Sequence, residues 1–143
     1  MASAEPGQKS LPLILARELA ANTATPMMVV DPVGTMLYYN EAAERILGQS
    51  FARSGQLPAE EWRPVISPQA PDGSPITYEE LPLVVALTEK KPKHGTLLIT
   101  GFDGLQREIE VTCFPLMVSG ERLVGGVAIF WEESNPGEAG RAV

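Results

Sequence analysis

The sequence predicts an α+β fold: a five-stranded antiparallel sheet with short helices on one face and a flanking helix at its N-terminal end. Three observations lead there. Residues 95–116 and 123–131 are strand-like runs, joined by turns at Asp103-Gly104 and Ser119-Gly120. Residues 26–48 read strand, turn, strand, helix. No βαβ repeat connects these parts, which disfavours a parallel doubly wound sheet. A sheet wrapped around short helices leaves an enclosed apolar space, a plan suited to sensing or binding more than to catalysis.

Residues 1–9, with Pro6 and Gly7 among small and polar neighbours, read as a disordered lead-in. Ser10 is a candidate cap for a flanking helix over residues 10–22. Leu11, Leu13, Ile14, Leu15 and Leu19 cover more than half of its surface, so it packs on the domain and can also meet a partner. Residues 27–30 form a short apolar strand closed by the turn Asp31-Pro32-Val33-Gly34, and residues 35–39 resume as a β-prone, aromatic-rich run. Asn40 then caps a short helix, Glu41 and Glu44 complement its dipole, and Gly48 stops it.

Residues 49–74 hold Pro58, Pro64, Pro68 and Pro71 and read as a loop-rich segment. It carries one brief helix over 59–65, with Trp62, Val65 and Ile66 as candidate anchors. Thr77-Tyr78-Glu79-Glu80 matches a capping box ahead of the apolar helical pattern 81–88. Pro82 donates no backbone bond, so the regular helix is expected to begin near Leu81. From Gly95 the period becomes two. Ile109, Val111 and Cys113 alternate with Glu108, Glu110 and Thr112, a clean in/out pattern. Residues 123–131 are apolar on both faces, which places that strand in the middle of the sheet. Residues 135–143 read as a flexible tail.

Composition narrows the function. A net charge of −7 argues against nucleic acid and against an anionic membrane surface. No apolar run approaches the roughly 20 residues of a membrane span. The single cysteine, Cys113, rules out an internal disulfide and suits a reducing cytoplasm; the single histidine, His94, rules out a Cys/His zinc cluster. His94 is expected in a solvated loop with Lys90, Lys91 and Lys93. There is no Ser/His/Asp set, phosphate-binding Gly-rich loop or metal constellation, so no enzyme activity is expected.

Several stretches, taken in order, carry a family likeness. They are Met28-Val29-Val30-Asp31 with Gly34; Tyr39-Asn40-Glu41-Ala42-Ala43-Glu44-Arg45-Ile46-Leu47-Gly48; and Asp72-Gly73-Ser74-Pro75-Ile76 with Glu79-Glu80-Leu81-Pro82-Leu83. Asp103-Gly104, Phe114-Pro115-Leu116, Gly120 and Gly125-Gly126-Val127-Ala128-Ile129-Phe130 complete the set. By their order and spacing, residues 24–134 resemble a PAS domain. The resemblance implies a sensory or interaction module of bacterial signalling, with any ligand held between sheet and helices. It also implies a homodimer built on the N-terminal helix and the outer sheet face. Where the family often ends in Asp-x-Thr, this chain has Glu132-Glu133-Ser134. No kinase, phosphatase or cyclase follows within the 143 residues, so the expected partner is a separate signalling protein such as a kinase or phosphatase, or the chain is an excised module.

The resemblance also frames the cofactors. Haem needs a histidine on the helix before the third strand, and His94 comes just after it. A photoactive flavin needs a cysteine on the helix after the second strand, where this chain has Asn40-Glu41-Ala42, while Cys113 sits on a later strand. Neither group is favoured. By strand alternation the inward residues are Met28, Val30, Leu97, Ile99, Ile109, Val111 and Cys113, with Ala128 and Phe130 placed inward by the resemblance. Ile46, Leu47, Val84 and Leu87 close the space from the helices, and Met36 and Tyr38 join it from the second strand. Such walls suit an apolar ligand such as a fatty acid. The same residues would also fill an ordinary core, and of the two the filled core has the edge. Leu11, Leu15 and Leu19, with Ile129 and Trp131, form the expected dimer interface.

Overall fold

A computed structural model describes residues 11–132. The lead-in, the Ser10 cap and the C-terminal tail lie outside the described residues. Helix α1 spans Leu11–Ala21, and strands β1 (Met27–Val30) and β2 (Met36–Tyr39) form the first hairpin. Helices α2 (Glu41–Leu47), α3 (Phe51–Ser54) and α4 (Ala59–Ile66) follow. A 3-10 turn at Tyr78–Glu80 then leads into α5 (Pro82–Glu89). Strands β3 (Lys93–Thr100), β4 (Gln106–Val118) and β5 (Arg122–Glu132) complete one antiparallel sheet in the order β2-β1-β5-β4-β3. The doubly apolar β5 is the central strand, as its composition requires.

Local chemistry accounts for the helix ends. Asn40 Oδ1 accepts from the Ala43 backbone N–H at 3.0 Å and caps α2, and Gly48 ends that helix at φ +80, a left-handed turn glycine tolerates best. Glu80 Oε1 accepts from the Thr77 backbone N–H at 3.0 Å, one half of the expected capping box. Pro82 occupies the first turn of α5, where its missing N–H costs nothing. Asn40 also does long-range work. Its Oδ1 accepts from Met27 N at 3.1 Å, and its Nδ2 donates to Ala20 O at 2.9 Å and Thr25 O at 2.8 Å. One buried side chain thus ties α1, β1 and α2 together.

The sheet separates two apolar clusters. Helices α2, α4 and α5 cover the inner face, where Met28, Val30, Leu97, Ile99, Val111 and Phe130 are buried among helix residues Ile46, Leu47, Trp62 and Leu87. Helix α1 covers part of the outer face, setting Ala16 and Ala20 against Met27, Val29 and Val127. Gly125 and Gly126 lie where elements from both sides press on β5. A Cβ at Gly125 would meet Leu13 Cδ2 at 2.8 Å, and one at Gly126 would meet Leu87 Cδ2 at 2.9 Å.

Three expectations need correction. The proline-rich segment carries a second helix, α3, capped by Ser50 Oγ accepting from Arg53 N. Strand β3 begins at Lys93, so His94 is a strand residue opposite Thr112 and not part of a loop; the ladder to β4 overrides the lysine-rich composition. Tyr38 does not face the core. The pairing of β1 with β2 runs Met28 to Tyr39 and Val29 to Tyr38, then shifts so that Val30 faces Met36. That bulge at Leu37 reverses the alternation, sending Tyr38 outward and Tyr39 inward.

Candidate functional site

A cavity of about 70 Å³ lies between the inner sheet face and helices α4 and α5. Of the residues expected to line a ligand space, Met28, Met36, Leu47, Leu97 and Ile99 reach its wall. So do Ile109, Val111, Cys113, Ala128 and Phe130. Val30, Ile46 and Leu87 belong to the surrounding core but not to the wall, and Val84 packs against that core only partly buried. Tyr38 lies on the opposite side of the sheet, with the Arg17 guanidinium 4.7 Å from its ring centre.

The wall also includes Trp62, Ile66, Pro68, Leu81, Pro82 and Leu83, which alternation along strands could not supply. Their sequence signal was the i, i+4 pair Trp62 and Ile66, the two buried residues of α4. Trp62 is anchored by its indole N–H, which donates to Gly34 O at 2.9 Å. Burial pushes the Cys113 thiol up to about 12, so it lines the cavity as a small apolar group and not as a thiolate.

Size and chemistry bound what this cavity holds. A water occupies about 30 Å³ of liquid, so the space takes about two methylene-sized groups, and ligand sites for whole small molecules run to about 300–1,000 Å³. No carboxylate, amide or imidazole is among its walls to meet the polar edge of a flavin ring. His94 is on the outer face, its Nε2 2.6 Å from Glu110 Oε1 and its ring 6.2 Å from that of Trp131. The sheet stands between that imidazole and the cavity. These residues fit neither haem nor flavin. Among the described residues no cluster of three or more His, Cys, Asp or Glu side chains could hold a metal ion, and no helix is long and apolar enough to cross a membrane.

The outer face carries a different surface. With Ala16 and Ala20 turned to the sheet, α1 leaves Leu11, Leu15 and Leu19 63%, 57% and 60% exposed. An apolar groove between α1 and the sheet is walled by Leu15, Leu19, Phe114 and Leu116. Farther along β5, Ile129 is partly covered by this cluster, while Trp131 is 42% exposed beside His94. All five residues expected at a dimer interface therefore lie on this one side of the molecule.

No protein-family model matches the chain, and no curated protein matches it. Solved structures do. The chain is similar to the PAS domain of BvgS from Bordetella pertussis at 22% identity and a TM-score of 0.61, covering 91% of this chain and 92% of that one. It is similar to the PAS domain of nitrogen regulation protein NR(II) from Vibrio parahaemolyticus at 20% identity and a TM-score of 0.57, over 87% and 100% of the two chains. The LOV domain of the blue-light activated histidine kinase EL346 from Erythrobacter litoralis aligns at 18% identity and a TM-score of 0.61, over 80% and 100%.

Proposed function

With the PAS fold as premise, we propose that this chain is a non-enzymatic sensory and dimerisation module of bacterial signal transduction. It works in the cytoplasm, takes an apolar, fatty-acid-like group into its core, and passes the change to a kinase or phosphatase. The observation that carries this reading is the arrangement around β5. Ala128 and Phe130 wall the cavity, while their neighbours Ile129 and Trp131 stand on the outer face with exposed Leu11, Leu15 and Leu19. A group that enlarges a 70 Å³ space must displace close-packed walls, and β5 joins those walls directly to the outer surface. Two copies related by a twofold axis would bury that surface and read the displacement as a change in subunit packing.

A second reading draws on the same number. Because the cavity is far below the size of a small-molecule site, a module that binds only protein partners through its outer face accounts for the geometry as well. Native mass spectrometry of the purified protein, beside a denatured and solvent-extracted sample, separates the two. A dimer carrying an extractable apolar molecule supports the sensor. A ligand-free dimer supports the interaction module, and a ligand-free monomer overturns the sensor and the self-association of either reading.

A further inference from the structure

Beside the core cavity, α4 and the segment leading to α5 border an open groove of about 430 Å³. Pro68 and Leu81 belong to the walls of both, so the two spaces adjoin at these side chains. At about 430 Å³ the groove is itself within the range of small-molecule sites, about 300–1,000 Å³, and the core cavity extends it with an apolar end. The inner part is apolar throughout. The outer part combines apolar walls from Pro64, Ile76 and Tyr78 with the charged groups of Arg63 and Glu60.

Arg63 is the informative residue. Its guanidinium lies 4.0 Å from the centre of the Tyr78 ring, held there through its face. The N–H groups of a guanidinium point outward in its plane, so a stacked arginine keeps its fork for a carboxylate. Among the described residues the close pairings of basic with acidic side chains are His94 with Glu110 and Arg107 with Asp103, and Arg63 has none. Glu60 lines the groove, and Asp31 and Glu79 lie close enough to act on Tyr78, so these carboxylates oppose the attraction of Arg63 for an anion.

We infer that this chain binds a short- to medium-chain carboxylic acid, its carboxylate on Arg63 and its alkyl end passing between Pro68 and Leu81 into the core. The inference rests on the apolar-ligand reading above and adds a head group, an entrance and a length. The core cavity accepts about two methylene-sized groups, so most of the chain lies along Pro64, Ile76 and Tyr78. A long-chain acid does not fit without opening the core.

The test is titration of the full chain with octanoate and with 1-octanol, by calorimetry and by the fluorescence of cavity-lining Trp62. Wild type should bind octanoate more tightly than 1-octanol. Arg63→Ala should weaken octanoate about tenfold and leave 1-octanol unchanged, since only the acid uses the guanidinium. Glu60→Gln should tighten octanoate by removing the opposing charge. If wild type binds both equally, or Arg63→Ala weakens both or neither, the carboxylate assignment is overturned while the apolar pocket stands. If wild type binds neither, the apolar-ligand reading falls with it.

Discussion

Asn40→Ala would test how this domain is held together. Asn40 is 2% exposed, and its side chain holds four backbone groups at 2.8–3.1 Å, Ala43 N, Met27 N, Ala20 O and Thr25 O, with Thr23 O farther off at 3.4 Å. Loss of an asparagine helix cap costs about 1 kcal/mol. Each further group left without a partner costs about 1 kcal/mol at the low end, less for the part-buried Thr25 O, so the four together come to about 3–4 kcal/mol. Domains have only about 5–15 kcal/mol in total. At a urea dependence near 1.5–2 kcal/mol per molar for a chain of this size, the unfolding midpoint should fall by roughly 2 M.

Asn40→Ser retains the cap alone and should recover only about 1 kcal/mol of the loss. Circular dichroism in urea measures both variants. Hydrogen exchange should show α1 deprotected first, because Ala20 O and Thr25 O link that end of the chain to α2 through Asn40. A midpoint shift equivalent to less than about 1 kcal/mol, or an α1 as protected as in wild type, would refute the claim that one side chain couples three elements.

Other predictions concern the surface and the ionisable groups. Trp131→Glu should convert a dimer to a monomer, since it sets a charge on the outer face; an unchanged mass by light scattering removes that interface. Arg107 donates to both Asp103 oxygens, at 3.2 and 2.9 Å, and this pulls the Asp103 carboxyl down to about 2. A depressed carboxylate stabilises the fold above the ordinary carboxylate range, and that contribution is lost as the pH falls from about 4 through about 2. Asp103→Asn should therefore flatten the acid side of a melting-temperature profile; an unchanged profile means this pair has no part in it. Cys113, buried with its thiol raised to about 12, should resist a disulfide reagent in the native state and react fully in denaturant. Rapid native labelling would show that the cavity opens to water.

What the sequence by itself determined is what neighbours along the chain decide. The Asn40 and Gly48 ends of α2 follow from capping chemistry within one helix. The alternation at Ile109, Val111 and Cys113 set the faces of β4, and the two apolar faces of the last strand put it at the centre of the sheet. Tertiary structure decided the rest. Tyr38 and Tyr39 exchanged faces because a bulge is a relation between two strands, invisible in either one. His94 became a strand residue because β4 offered it a ladder. Trp62, Ile66 and Pro68 reached the cavity because the proline-rich segment folds back over the sheet, where Gln69 pairs with Leu98 at the edge of β3. The volume left between those walls depends on how side chains from distant segments interlock, and periodicity carries no information about that fit.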